Sequence, residues 1–283
     1  EVLQKLKSLH PENEFVVKTI RTLGDKAKES PLDSLGVGVF VKELDEALLN
    51  GEIDIAVHSL KDIPPQVTPG LRIGAVCERM DPRDVLINKW GCGLHNLPHK
   101  SRIGTSSPRR AAQIKASRPD LKTLPIRGNI ETRIEKALGK EYDAVLLAAS
   151  GVLRLGFGEA ISEYLPLDTF VPAPGQGALA VQSRHDDEHI KSMLTNINHV
   201  PTSNATTAER EFLARLGGGC QLPAAAYAHE DGLKLFMIAF LATSDLEKSF
   251  INNTVGYATH PERVATKAHQ QLVKKMSGQA TQI

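Results

Sequence analysis

The sequence predicts an α/β protein: two α/β domains joined by a double crossing of the chain, followed by a small α+β domain. Three observations carry this. Short β-branched apolar runs recur, most of them followed by helical periodicity. Polar and basic residues gather just beyond several of those runs, where open α/β sheets bind ligands. Two punctuated stretches, Cys77–Pro82 and Val171–Gly177, break the alternation as a pair of crossings would. The expected division is 1–77 with 178–196, then 82–171, then 199–283, which a chain of 283 residues can fill with separate cores.

Composition narrows the function. With 34 basic against 33 acidic residues the chain is no generic polyanion binder, and 5% aromatics leave few platforms for stacking nucleobases. No apolar run reaches the ~18 residues of a membrane span. Cys77, Cys92 and Cys220 are scattered and odd in number, which fits a reducing compartment better than a disulfide framework. The reading is a soluble cytoplasmic protein with neither nucleic-acid nor membrane partners.

The elements follow in order. Val2, Leu3, Leu6 and Leu9 have helical spacing, Pro11 ends that helix, and Glu14–Ile20 alternates as a strand would. Leu23–Val39, rich in Gly, Ser, Asp and Lys, reads as an exposed mobile loop of a length that implies a function. Phe40–Leu49 is a helix stopped at Gly51. Ile53–Val57 suits a strand buried on both faces, and His58, Ser59, Lys61 and Asp62 crowd behind it before Pro64-Pro65. That cluster is either a solvated turn or a site at a strand's carboxyl end. Leu71–Cys77 completes the first set of strands.

Asp84–Asn88 opens the second domain. The loop after it holds Cys92, His95 and His99 in a C-x2-H-x3-H spacing that invites zinc, but no fourth ligand lies nearby, so no metal is assigned. Arg102–Thr105 is a strand running into Ser107-Pro108, an N-cap with proline at the first helical position. Arg109 and Arg110 follow, so hydroxyls, helix N–H groups and cations coincide as in an anion site. Leu121–Ile126 is a strand followed by Arg127 and by Asn129, which caps a helix over Ile130–Leu138 with Arg133 in its first turn. Tyr142–Ala149 is a strand leading into a helical segment with Arg154. Arginine after three successive strands points to a ligand with several negative charges.

Ala178–Gln182 is a strand returning to the first sheet. Thr206–Leu216 is a helix ending in Gly217-Gly218-Gly219 before Cys220; Leu233–Thr243 and Ser249–Tyr257 pair as a hairpin, and Pro261–Met276 is an amphipathic helix. Cys220 carries two readings. Cysteines commonly pack in cores, yet a thiol in a glycine-bared loop suits covalent attachment of a group.

Seven segments also share the residues, order and spacing of one known family: Phe40-Val-Lys-Glu-Leu44, Val57-His-Ser-Leu-Lys-Asp-Ile-Pro64, Asp81-Pro-Arg-Asp84, Gly104-Thr-Ser-Ser-Pro-Arg-Arg110, Arg127-Gly-Asn-Ile-Glu-Thr-Arg133, Pro174-Gly-Gln-Gly-Ala178 and Leu216-Gly-Gly-Gly-Cys-Gln-Leu-Pro223. Over essentially its whole length the sequence resembles the hydroxymethylbilane synthase (porphobilinogen deaminase) family.

The resemblance implies two periplasmic-binding-protein-like α/β domains with a double hinge and a small third domain. It implies a dipyrromethane cofactor on Cys220 through a thioether, and a transferase of haem (tetrapyrrole) biosynthesis. That enzyme joins four porphobilinogen units head to tail with loss of ammonia, then releases hydroxymethylbilane by hydrolysis. Asp62 matches the catalytic aspartate, which would stabilise the cation formed as ammonia leaves. Ser59, Lys61, Thr105, Ser107, Arg109, Arg110 and Arg133 match cofactor contacts, and Arg110, Arg127, Arg133 and Arg154 match substrate contacts. The family's usual form is a monomer. It begins with a strand and a loop carrying a substrate-binding arginine and serine, and this sequence starts beyond them. Val37 stands where many members have lysine, and Pro108 and Pro125 replace more usual residues. The competing reading is a non-enzymatic receptor for small polycarboxylate anions, which would need neither Cys220 nor Asp62.

Overall fold

The computed structural model describes residues 1–22, 41–218 and 222–278. The loop expected over Leu23–Val39, with Val37, and the cysteine expected to carry the cofactor, Cys220, lie outside those residues.

The first lobe is built on a three-stranded antiparallel sheet. Its strands are β1 (Ile55–Ser59), β2 (Leu71–Val76) and β8 (Leu179–Arg184), with β8 in the middle. Helices α1 (Val2–Leu9), α2 (Lys42–Leu49) and α6 (Glu188–Thr195) surround it. Leu6 of α1 packs with Ala75, Val181 and Leu194, while Leu48 of α2 packs with Ala56 and Leu71. β1 is an edge strand, so it alternates instead of being buried on both faces: Ala56 and His58 face inward and Val57 is 45% exposed. The strand also starts two residues later than its sequence suggests.

The strand expected over Glu14–Ile20 is absent. That segment is separated from β1 by a groove of ≈ 760 Å³ lined by residues 13–18 on one side and 52–57 on the other. Across that gap the two cannot share a hydrogen-bond ladder, and the adjacent Val16 and Val17 are both exposed.

The second lobe has a five-stranded mixed sheet in the order β5-β4-β6-β3-β7. These are β3 (Asp84–Asn88), β4 (Arg102–Gly104), β5 (Lys122–Leu124), β6 (Ala144–Ala148) and β7 (Glu163–Tyr164). The central strands read as continuous apolar runs because both faces are covered. Leu86, Ile103 and Leu146 pack on one side with Ile114 of α3 (Pro108–Ser117). Val85, Ile87 and Val145 pack on the other with Ile134 of α4 (Ile130–Leu138) and Val152 of α5 (Ala149–Arg154). Asn129 caps α4 by accepting from the Thr132 N–H at 2.9 Å.

The C-terminal α+β domain is an antiparallel meander of β9 (Ala224–Asp231), β10 (Lys234–Ala242) and β11 (Ser249–Tyr257). One face carries α7 (Val200–Arg215) and α8 (Pro261–Met276) around Phe212, Met237, Ala239 and Leu272. At one end of the other face, Phe240 and Ala225 pack on Ala112 of α3 and Val171, which joins this domain to the second lobe.

The chain leaves the first sheet after Val76, enters the second at Asp84, and returns at Leu179. The two crossings touch each other. Gly177 sits at φ +92°, and a Cβ there would lie 2.6 Å from the Met80 carbonyl oxygen of the outgoing crossing.

Candidate active site

β1 ends at Ser59, and Leu60–Asp62 forms a single 3-10 turn directly after it. The turn is fastened to the returning crossing: the Leu60 N–H donates to the Ala178 carbonyl at 3.0 Å. A Cβ on Gly175 (φ +75°) would sit 2.9 Å from Leu60 Cγ and 3.2 Å from the Lys61 backbone nitrogen, so only glycine lets the crossing lie this close. Lys61 and Asp62 are thereby presented where the first lobe faces the second.

Their titration reflects that place. The Asp62 side chain reaches water, but protein walls surround it closely; this burial pushes its carboxyl above the usual 3.8, against the opposing pull of Lys61 and His58. Burial likewise pulls the Lys61 ammonium below its usual value; Asp62 and Asp84 oppose this, while Arg110 and Arg109 add to it. Lys61 of the first lobe thus sits within electrostatic reach of three charged groups of the second. His58, 7% exposed, is held below its usual value chiefly by burial.

Across from the turn, Asp84 opens β3 with no exposed surface. Arg109 donates to it at 2.6 and 3.3 Å, and Arg110 at 2.6 and 3.0 Å. Gln176 of the returning crossing is a third donor side chain, Nε2 to Oδ1 at 3.0 Å, and also donates to the Pro82 carbonyl at 2.8 Å. The two guanidiniums overcome the desolvation of Asp84 and hold its carboxyl well below the usual range. Arg109 and Arg110 were expected to present themselves to a ligand. Instead both are almost fully buried, and each completes its hydrogen bonding on a carbonyl, Val171 for Arg109 and Leu146 for Arg110. Two cations on one carboxylate still leave net positive charge at this wall.

That excess reaches further. Arg133, partly buried, donates Nε to the Gly128 carbonyl at 2.7 Å. Burial is the largest influence pulling its pKa down, with Arg110 and Arg127 next. Arg110, which follows β4, and Arg127, which follows β5, are therefore both close enough to repel Arg133. Arg154 stands apart from them. It donates to the Gly177 carbonyl at 3.2 Å and pairs with Glu1 at 3.4 Å, bridging α5, the returning crossing and α1.

Of the hydroxyls, Thr105 is buried, and its Oγ1 accepts from the Ser107 N–H at 3.2 Å; Ser107 caps α3 through a long 3.4 Å bond from the Arg110 N–H. Ser59 is half-buried at the end of β1. The Cys92, His95, His99 spacing does not gather into a metal-like cluster: His99 turns to Asp120 at 3.0 Å, and among the described residues no three such side chains come together.

Sequence reasoning missed the residues that hold this arrangement. Glu209, fully buried in α7, accepts from Arg79 at 2.6 and 3.0 Å, from the Gly175 N–H at 2.7 Å and from the Ala228 N–H at 2.7 Å. It pins both crossings to the C-terminal domain. Arg210, its neighbour, donates to the carbonyls of Ile63 and Pro64 at 2.8 Å each and of Pro65 at 3.1 Å. Nothing in the helix read over Thr206–Leu216 marked either residue, because which charge of an adjacent Glu-Arg pair faces protein depends on the elements packed around it.

A family model described as porphobilinogen deaminase, dipyromethane cofactor binding domain, matches residues 1–192, and one described as porphobilinogen deaminase, C-terminal domain, matches 204–276. A porphobilinogen deaminase of Geobacillus sp. (strain WCH70) is 46% identical over 276 residues, spanning 97% of this chain and 88% of that one. Its counterpart from Syntrophomonas wolfei is 47% identical over 250 residues, 88% of this chain and 82% of its own. That of Geotalea daltonii is 44% identical over 273 residues, 96% and 86% of the two. A turn with Lys61 and Asp62 facing an arginine-rich wall, on a chain matched this far along its length, leads to one assignment: the chain belongs to the porphobilinogen deaminase family.

Proposed function

We propose that the space between the lobes is the active site, with Asp62 as its catalytic residue. Ser59, Lys61, Thr105, Ser107, Arg109, Arg110 and Arg133 form its cofactor-holding side, and Arg110, Arg127, Arg133 and Arg154 the substrate-holding one. We adopt the domain division 1–77 with 178–196, 82–171 and 199–283, and read the protein as a cytoplasmic monomer. The chain is a transferase that condenses four porphobilinogen molecules head to tail, with loss of ammonia, onto a covalently bound dipyrromethane cofactor. It then releases hydroxymethylbilane by hydrolysis. A non-enzymatic anion receptor falls away with that membership.

The donor set fits the cofactor. The observation that carries the reading is the cationic excess around Arg133, which a ligand bearing several carboxylates would relieve. When bound, dipyrromethane supplies the terminal pyrrole carbon to which units are added. Arg133 and Arg127 would grip acetate and propionate groups by charge-assisted hydrogen bonds. Arg109 and Arg110, committed to Asp84, would act as a fixed positive wall. Asp62 works on the substrate as ammonia leaves. Its carboxylate opposes the positive charge that develops on the porphobilinogen ring, and its raised affinity for a proton suits Oδ1 or Oδ2 to take one up and return it. Lys61 opposes that rise and favours the ionised form of the carboxylate.

Intact-mass measurement of the freshly purified protein tests the covalent part. An adduct of two linked pyrrole units is expected, lost in Cys220→Ser; an unmodified mass in active protein would refute it.

A further inference from the structure

We infer that Arg210 is a positioning residue, which fixes the Asp62 turn to the helix from which the cofactor tether departs. The inference rests on the proposed roles of Asp62 and Cys220, and it comes from the backbone of residues 60–66.

Pro64 and Pro65 have no N–H groups, so that segment cannot hold its shape through a ladder of its own. The Ile63 N–H donates to the Leu60 carbonyl at 3.2 Å, and the carbonyls of Ile63, Pro64 and Pro65 all converge on the Arg210 guanidinium. One planar fork thus organises three consecutive carbonyls immediately behind the catalytic carboxylate. Among the described residues no carboxylate salt-bridges to Arg210, and burial pulls its pKa down to about 10.

The same helix reaches the same turn a second time. α7 ends in a Gly-Gly exit in which the Gly217 N–H donates to Ala214 and the Gly218 N–H to Leu213, both at 3.0 Å. A Cβ on Gly218 would lie 3.5 Å from Gln66 Oε1 and 3.7 Å from Pro65 Cγ. The last described residue before the cysteine loop is therefore a neighbour of the segment that Arg210 holds. Glu209 meanwhile locks α7 to the crossings that support Leu60 and Lys61. Catalytic turn and tether root share one helix as their reference frame. Arg210 is not among the charges that shift the Asp62 carboxyl, so its influence runs through backbone geometry and not through charge.

The experiment uses the cofactor-loaded protein and the variants Arg210→Gln and Arg210→Lys. In Arg210→Gln the adduct mass is retained and kcat falls about 100-fold, the scale of a ~1 Å misplacement, while KM stays within about threefold. Lysine, reaching fewer carbonyls, restores part of kcat. Amide exchange speeds up at Ile63 with no matching rise outside the turn, and the acid limb of the pH–rate profile does not move. Wild-type kcat in Arg210→Gln, a loss of kcat that tracks loss of the adduct, or exchange rising evenly along the chain would each overturn the inference. If Arg210→Gln does not fold, Arg210→Lys decides it: a reduced kcat with local exchange supports the role, and wild-type kcat overturns it. Asp62→Asn is measured alongside. Normal turnover there removes the catalytic reading and this inference with it, whereas an inactive Asp62→Asn beside a fully active Arg210→Gln overturns the inference alone.

Discussion

In the proposed site, the setting of Asp62 makes ionisation costly and then partly offsets the cost. Walls of protein raise the carboxyl's pKa above 3.8, and Lys61 and His58 pull it back. If the carboxylate is the working form, activity rises with pH through that raised value and levels off above it. The acid limb of kcat should therefore lie above the usual carboxylate range, and Asp62→Ala should abolish turnover while circular dichroism shows the fold intact. Asp84 shows the reverse sign. Its folded pKa is depressed, so its contribution to stability is complete above the unfolded value of 3.8 and is lost as pH falls below it. Asp84→Asn leaves two buried guanidiniums without their anion, and chemical denaturation should show a loss of about 3–5 kcal/mol. The sequence identified Arg109 and Arg110 as cations near a helix start but could not show where they point. That depends on Asp84, 25 residues from Arg109 in the chain and brought to it by the pairing of β3 with β6.

Elements with a strong period and a cap were readable from residues alone. α4 and α8 have the bounds that Asn129, Pro261 and their apolar spacing imply. Elements defined by partners were not. Residues 14–20 alternate correctly yet lie across a groove from the edge they would need, and alternation without a neighbour is not a strand. β9 begins with three alanines, which favour helix, and is a strand because β10 pairs with it along its length. α7 starts at Val200, well before the apolar pattern begins, because His199 caps it by accepting from Thr202. The returning crossing makes the sharpest prediction at this scale. Gly177→Ala places a methyl group against the Met80 carbonyl in a left-handed backbone; it should cost about 1–3 kcal/mol, read as a lower thermal midpoint.

At the scale of the molecule, three sheets meet at a small number of buried polar ties. Asp84 gathers α3 and the returning crossing, Glu209 gathers the outgoing crossing, the returning crossing and β9, and Arg210 holds the turn after β1. The overall plan was legible because it follows from punctuation and strand count. The ties were not, since each joins residues 19 to 147 positions apart.

The Glu209 tie has a consequence for dissection. A chain cut between α6 and α7 would leave one fragment with Arg79 facing no acid and the other with Glu209 facing no cation. Each piece alone would expose a face that the intact chain buries, and would precipitate or be digested. Together they would re-form the Arg79–Glu209 contact and elute as one species. The C-terminal domain is thus a complementing part of the molecule, to be produced alongside the rest.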